Sequence, residues 1–236
     1  ASAGVYCDFN GKQYFKVVDG YFNTADEVWS KLKMLYPDCD VHGHWGPYIC
    51  GDDEIPPSAF DNKSTLVTSA FPEVVHKIGG HAFYQCSLLT GALIIPNDVK
   101  EICRAAFFKC SNLSSVSLPE GLVTIEGQAF EECNSLSSLL LPSTLKYIGE
   151  CAFYYCPSLE NIIMGKGVTS IGDDAFFECK ELKNVYITDI ASWCGISFAS
   201  STANPFYYAF NLYLNNELVT DLVVPDDVTS IANYAF

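Results

Sequence analysis

The chain has 236 residues, of which 49% are hydrophobic and 17% charged, with a formal net charge of −15. That apolar content supports a sizeable core and excludes a disordered or collagen-like chain. The acidity argues against nucleic acid and anionic membranes as partners, because phosphate surfaces demand Lys and Arg. No stretch approaches the ~20 apolar residues of a bilayer span, so no membrane insertion is expected.

Residues 1–54 precede any repeat. Ala1-Ser2-Ala3-Gly4 fits a chain from which a leader has been removed. Val5 to Phe9 and Lys12 to Val17, around Asn10-Gly11, predict a hairpin with a type I′ turn. Thr24-Ala25-Asp26-Glu27 is a capping box opening a helix with Val28, Leu32 and Leu35 on one face, which Tyr36-Pro37 stops. The segment reads as a small α/β cap over the first coil, with a separate binding domain as the alternative. Cys39, His42, His44 and Cys50 are metal-ligand types lying close together, but their spacing fits no zinc motif. A disulfide (Cys39 with Cys50, or Cys7 with one of them), free thiols and a metal site stay open there.

From residue 55 the chain repeats itself. The string Ile-x-x-x-Ala-Phe-x-x-Cys-x-x-Leu begins at Ile78, Ile102, Ile125, Ile148 and Ile171. Its Phe residues, Phe83, Phe107, Phe130, Phe153 and Phe176, follow at steps of 24, 23, 23 and 23. A weaker copy starts at Ile55 with Lys63 in place of Cys, and another restarts at Ile231. The second half of each coil reads L-x-x-L-x-L, as in Leu136, Leu139 and Leu141, often followed by Pro, as at Pro119 and Pro142. Alternation there marks a strand. Ile, Ala, Cys and Leu at offsets 0, 4, 8 and 11 predict a short helix or helical turn for the first half. Such a coil cannot bury its own apolar side chains and must stack on copies of itself.

The expected fold is α/β: a right-handed leucine-rich-repeat solenoid over 55–236 with a parallel sheet on one face, plus the N-terminal cap. Residues 192–218 read as an insertion interrupting the stack. The last repeat, ending at Ala235-Phe236, reads as incomplete, as though the chain were part of a longer array.

The repeated I-G-x-x-A-F-x-x-C-x-x-L-x-x-L-x-L-P pattern resembles the BspA-type leucine-rich-repeat family of bacterial and some protozoan cell surfaces. The resemblance covers 55–236 and departs from the pattern at Lys63 and Cys103. The inserted stretch with Trp193, Cys194, Asn204, Pro205 and Phe206 is similar to an insertion in members from gut anaerobes. The resemblance implies a secreted or cell-surface bacterial protein that binds host matrix or neighbouring-cell proteins. It implies no catalytic residues and no cofactor.

The Cys86, Cys110, Cys133, Cys156 and Cys179 column reads as reduced core packing. Four His and eleven Cys are present, yet no local signature marks a Cys–His nucleophile. Asp52-Asp53-Glu54, Asp173-Asp174 and Asp226-Asp227 read as solvated corners, with weak Ca²⁺ sites as the alternative. Tyr84, Phe108, Tyr154, Tyr155 and Phe177 read as packing between coils. In L-x-x-L-x-L the residue between the last two apolar positions faces outward. It is Ala70, Ile94, Ser117, Leu140, Ile163, Tyr186 and Val223 in turn, a mostly apolar stripe. The candidate partner-binding residues are Ile94, Leu140, Ile163 and Tyr186, with Glu160 and Lys183 beside them and Trp193 from the aromatic insertion. A protein-binding module is the leading reading. A structural spacer, or a metal-dependent activity in residues 1–54, is the alternative.

Overall fold

The computed structural model describes residues 3–9, 12–18, 34, 48–49, 54–55, 57–62, 66–68 and 75–236. The expected hairpin is present. Strand β1 (Ala3–Phe9) runs antiparallel to β2 (Lys12–Val18), with Phe9 opposite Lys12. Strand β3 (Tyr48–Ile49) pairs with β1, and β5 (Leu66–Thr68) pairs in parallel with β2. The hairpin is thereby hydrogen-bonded to the first coil. The helix expected over 24–36 lies outside the described residues except Met34, which is helical.

Each coil carries two strands, not one. On the first face lie β7 (Gly91–Ile94), β9 (Leu113–Ser117), β11 (Ser138–Leu140), β13 (Asn161–Ile163), β15 (Asn184–Ile187) and β17 (Asn211–Leu214). They form two ladders, β7–β9 and β11–β13–β15–β17, parallel throughout. The second face is a seven-stranded parallel sheet of two-residue strands. Its members are β4 (Glu54–Ile55), β6 (Lys77–Ile78), β8 (Glu101–Ile102), β10 (Thr124–Ile125), β12 (Tyr147–Ile148), β14 (Ser170–Ile171) and β16 (Ser197–Phe198). The motif isoleucine, expected to open a helix, is instead the inward residue of this second sheet, fully buried at Ile78, Ile102, Ile125, Ile148 and Ile171.

The helical half-coil is the main correction. Residues after each isoleucine form a run of overlapping β-turns, in which Ala82 N–H bonds to Gly79 O, Tyr84 N–H to His81 O and Cys86 N–H to Phe83 O. Two residues per coil take left-handed φ, at 62° and 57° for Gln128 and Glu132 and at 53° and 54° for Cys151 and Tyr155. Each left-handed residue costs roughly 1–2 kcal/mol relative to αR. In return it turns N–H groups out of the coil and onto the neighbour. Gln128, Phe130 and Glu132 N–H bond to Glu150, Ala152 and Tyr154 O at 2.9, 2.8 and 2.9 Å. A helix would spend those donors within its own coil. Both geometries turn every fourth side chain inward, so the apolar spacing alone could not separate them.

The interior is a set of columns. Phe83, Phe107, Phe130, Phe153 and Phe176 stack with centroid spacings of 5.1, 5.2, 5.4 and 5.5 Å and nearly parallel planes. The motif cysteines are buried. Each donates to the phenylalanine carbonyl of the preceding coil, as Cys133 Sγ does to Phe107 O and Cys156 Sγ to Phe130 O, both at 3.3 Å. Burial pushes the Cys110, Cys133 and Cys156 thiols well above their ordinary range. These are neutral donors, the reverse of the low-pKa thiolate a nucleophile needs.

The coil after β15 is longer, since Val185 pairs with Leu212 and Ile171 with Phe198 across it. The extra residues fall between Ile187 and Phe198 and form the helix α1 (Ile190–Cys194), capped by Asp189, whose carboxylate accepts from Ala191 and Ser192 N–H at 3.1 Å each. The stretch read as an insertion therefore contributes a strand to each sheet. After β17 the chain reverses at Asn215-Asn216, both left-handed, and β18 (Glu217–Leu218) lies antiparallel on β17.

Candidate partner-binding face

Strand alternation positions the candidate site. In β11, β13, β15 and β17 the inward residues Leu139, Ile162 and Val185 are buried, and Leu212 is packed against the core. The next residue of each strand points outward. Leu140, Ile163, Tyr186 and Tyr213 are successive partners in the ladder, so they form one column. Leu140 is 58% exposed and Ile163 44%. Tyr186 and Tyr213 stack with centroids 4.5 Å apart and planes 16° from parallel. Two residues earlier, on the same face, Asn161, Asn184 and Asn211 form an amide ladder. Asn184 Nδ2 donates to Asn161 Oδ1 at 2.8 Å, and Asn211 Nδ2 to Asn184 Oδ1 at 2.9 Å.

Glu160 and Lys183 flank this face and pair with each other at 3.2 Å, while Lys183 also reaches Glu181 at 3.5 Å. The hydrogen bond and charge of Glu160 raise the Lys183 ammonium above its ordinary range. Solvent screens exposed pairs of this kind, so a partner could displace them cheaply.

The expected site residues thus divide. Leu140, Ile163 and Tyr186 come together, with Glu160 and Lys183 beside them. Ile94 is exposed but pairs with Ser117 in the separate β7–β9 ladder. Trp193, expected as a contact, is a core residue instead. It is 1% exposed, packs against Phe198 and Phe206, and donates from Nε1 to Ala235 O at 2.8 Å. The added residues of α1 fold the indole inward, where it fills a coil too wide for the 23-residue pattern. Val223 is exposed but unpaired, because β18 occupies the edge it was expected to extend. Tyr213 was missed in the sequence. The Leu212-Tyr213-Leu214 string carries the strand signal, but it stands 27 residues after Val185-Tyr186-Ile187, out of register with the other coils. Ala70 and the Cys39, His42, His44 and Cys50 cluster lie outside the described residues.

Two-sheet coils in register, with L-x-x-L-x-L on one face, define a leucine-rich-repeat solenoid. Residues 90–205 match the BspA type Leucine rich repeat region in six copies. Among solved structures, the chain is similar to the T. pallidum leucine-rich-repeat protein, at 33% identity and a TM-score of 0.54 over 56% of this chain and 61% of that one. It is also similar in fold to a leucine-rich repeat protein from Bacteroides ovatus, at 22% identity and a TM-score of 0.55 over 95% of this chain and 58% of that one. The chain thus spans about three fifths of the length of these two proteins. No curated protein matches it. Among the described residues no helix is long and apolar enough to cross a membrane.

Proposed function

We propose that this chain is a protein-binding module of a secreted or cell-surface bacterial protein, and that it adheres to host or neighbouring-cell macromolecules through the β11–β17 face. The observation that carries this reading is the outward column Leu140, Ile163, Tyr186 and Tyr213 beside the asparagine ladder. Large apolar side chains in a continuous outward column, exposed at Leu140 and Ile163 and half-buried at Tyr186 and Tyr213, mark a contact surface on a protein otherwise rich in acidic groups. Stacked tyrosines give rigid apolar area with a polar tip, which suits interfaces. The amide ladder supplies donors and acceptors whose positions the parallel register has already set. Four strands at ~4.8 Å spacing present a face fit for an extended peptide or protein surface.

The test is binding of the purified chain to immobilised matrix proteins and epithelial surface extracts, with Ile163→Lys plus Tyr186→Lys as the variant. Both side chains point outward, so the fold should survive and binding should fall at least tenfold. Retained binding by a folded double variant would reject this face. Absence of binding by the native chain to any such preparation would reject the adhesive role.

A further inference from the structure

The glycine after the motif isoleucine recurs as Gly79, Gly149 and Gly172, and coils approach closely there. A Cβ on Gly149 would lie 2.3 Å from Gly127 N, and one on Gly172 would lie 2.5 Å from Glu150 N. At two consecutive coils the same position holds Cys103 and Glu126. Both replacements are metal-ligand types. The strand residue Glu101, two positions before Cys103, joins them, and the sulfur of Cys103 and carboxylate oxygens of Glu101 and Glu126 all lie within 4.8 Å of one another.

Cys103 is 7% exposed, and no hydrogen-bond partner holds its sulfur among the described residues, whereas each motif cysteine from Cys86 to Cys179 donates to a carbonyl. The carboxylates keep free lone pairs. Glu126 accepts Arg104 N–H at 2.7 Å through Oε2, and Glu101 meets Lys77 at 3.3 Å through its own Oε2. The Arg104 guanidinium is turned away, to Glu150 at 2.9 Å and Gln128 at 2.6 Å.

We propose that Glu101, Cys103 and Glu126 form a binding site for a thiophilic divalent cation of the zinc type. One sulfur and two carboxylate oxygens leave a fourth, outward position for water, which completes a tetrahedron. Sulfur favours zinc over calcium or magnesium, which take oxygen ligands alone. Binding replaces the thiol proton with the cation and releases that proton to solvent. Burial, then the Glu101 and Glu126 charges, hold the free thiol up to about 12, with Lys77 opposing and Glu54 adding to the effect. Those carboxylates repel a bare thiolate and attract a cation for the same reason.

The test uses the full chain without an affinity tag, loaded with Co²⁺ as a spectroscopic probe and titrated with Zn²⁺ by calorimetry. The native chain should show a sulfur-to-cobalt charge-transfer band and bind zinc at this site. Cys103→Gly and Glu126→Gly restore the glycine carried at positions 79, 149 and 172, so both should fold, as circular dichroism would confirm. The Cys103→Gly variant should lose the band, and each should weaken zinc by at least about 10-fold. Cys151→Ser, which removes a part-buried thiol in the following coil, should leave both readouts unchanged. A native chain without the band, or a band that survives Cys103→Gly, would overturn the proposal. Zinc affinity unchanged in both glycine variants would place the binding elsewhere and overturn it equally.

Discussion

Gly149→Ala tests the close stacking of the coils more directly than any core truncation. The added Cβ would stand 2.3 Å from Gly127 N, 2.5 Å from Glu126 C and 2.7 Å from Gly127 Cα, all backbone atoms, where ordinary contact begins at 3.4 Å. No rotamer change relieves such contacts. The coils must part by roughly 1 Å, and the bonds spanning the gap stretch with them. These are Gly149 N–H to Ile125 O at 2.8 Å and Gln128 N–H to Glu150 O at 2.9 Å. Overpacking costs about 1–3 kcal/mol and a weakened buried bond about 1 kcal/mol, so the loss should be near 3–4 kcal/mol. For a chain of this size that lowers the melting temperature by about 10 °C. Gly195→Ala is the control: its φ is −86°, its nearest contact would be 3.6 Å, and the lost chain entropy of glycine makes it neutral to about 1 kcal/mol stabilising. Thermal unfolding followed by circular dichroism measures both. Equal melting temperatures for the two variants would refute the close-approach argument.

Phe130→Leu keeps an apolar side chain but loses the stacks on Phe107 and Phe153, and should cost about 1–3 kcal/mol. Phe130→Ala should cost about 3–5 kcal/mol, and urea unfolding separates the two. The buried thiols make the fold sensitive to alkali. Their folded pKa values are raised above the ordinary 9.0 by burial, so their contribution is whole below pH 9 and is lost as rising pH ionises the unfolded chain. Urea midpoints should therefore fall above pH 9, and less steeply in Cys133→Ala. Asp189 behaves oppositely. Ser192 hydroxyl and backbone donors lower its pKa, so its contribution is present above the ordinary 3.8 and lost as pH falls through the folded value. Asp189→Ala should cost about 1 kcal/mol at pH 7, and that difference should shrink in acid.

The repeat period, the burial of Ile, Ala, Phe, Cys and Leu, and the strand of L-x-x-L-x-L were legible because each coil meets the same neighbours and so repeats the same side chains. The outward column at Leu140, Ile163 and Tyr186 followed from simple alternation. Where the coil changed length, local pattern failed. Tyr213 and Trp193 exchanged places with expectation, the one emerging on the face and the other entering the core, because four added residues shift register without altering local composition.

Column membership follows from the repeat period alone: which side chains point inward is fixed by a spacing near four, which a helix and a run of turns both satisfy. Contact between stacked coils selects the turns. Left-handed residues such as Gln128 and Glu132 are unfavourable in an isolated coil, and they persist because the adjacent coil supplies acceptors for the N–H groups they expose. The cluster of Glu101, Cys103 and Glu126 has the same origin. Its members come from successive coils, and stacking alone brings them within reach of one ion.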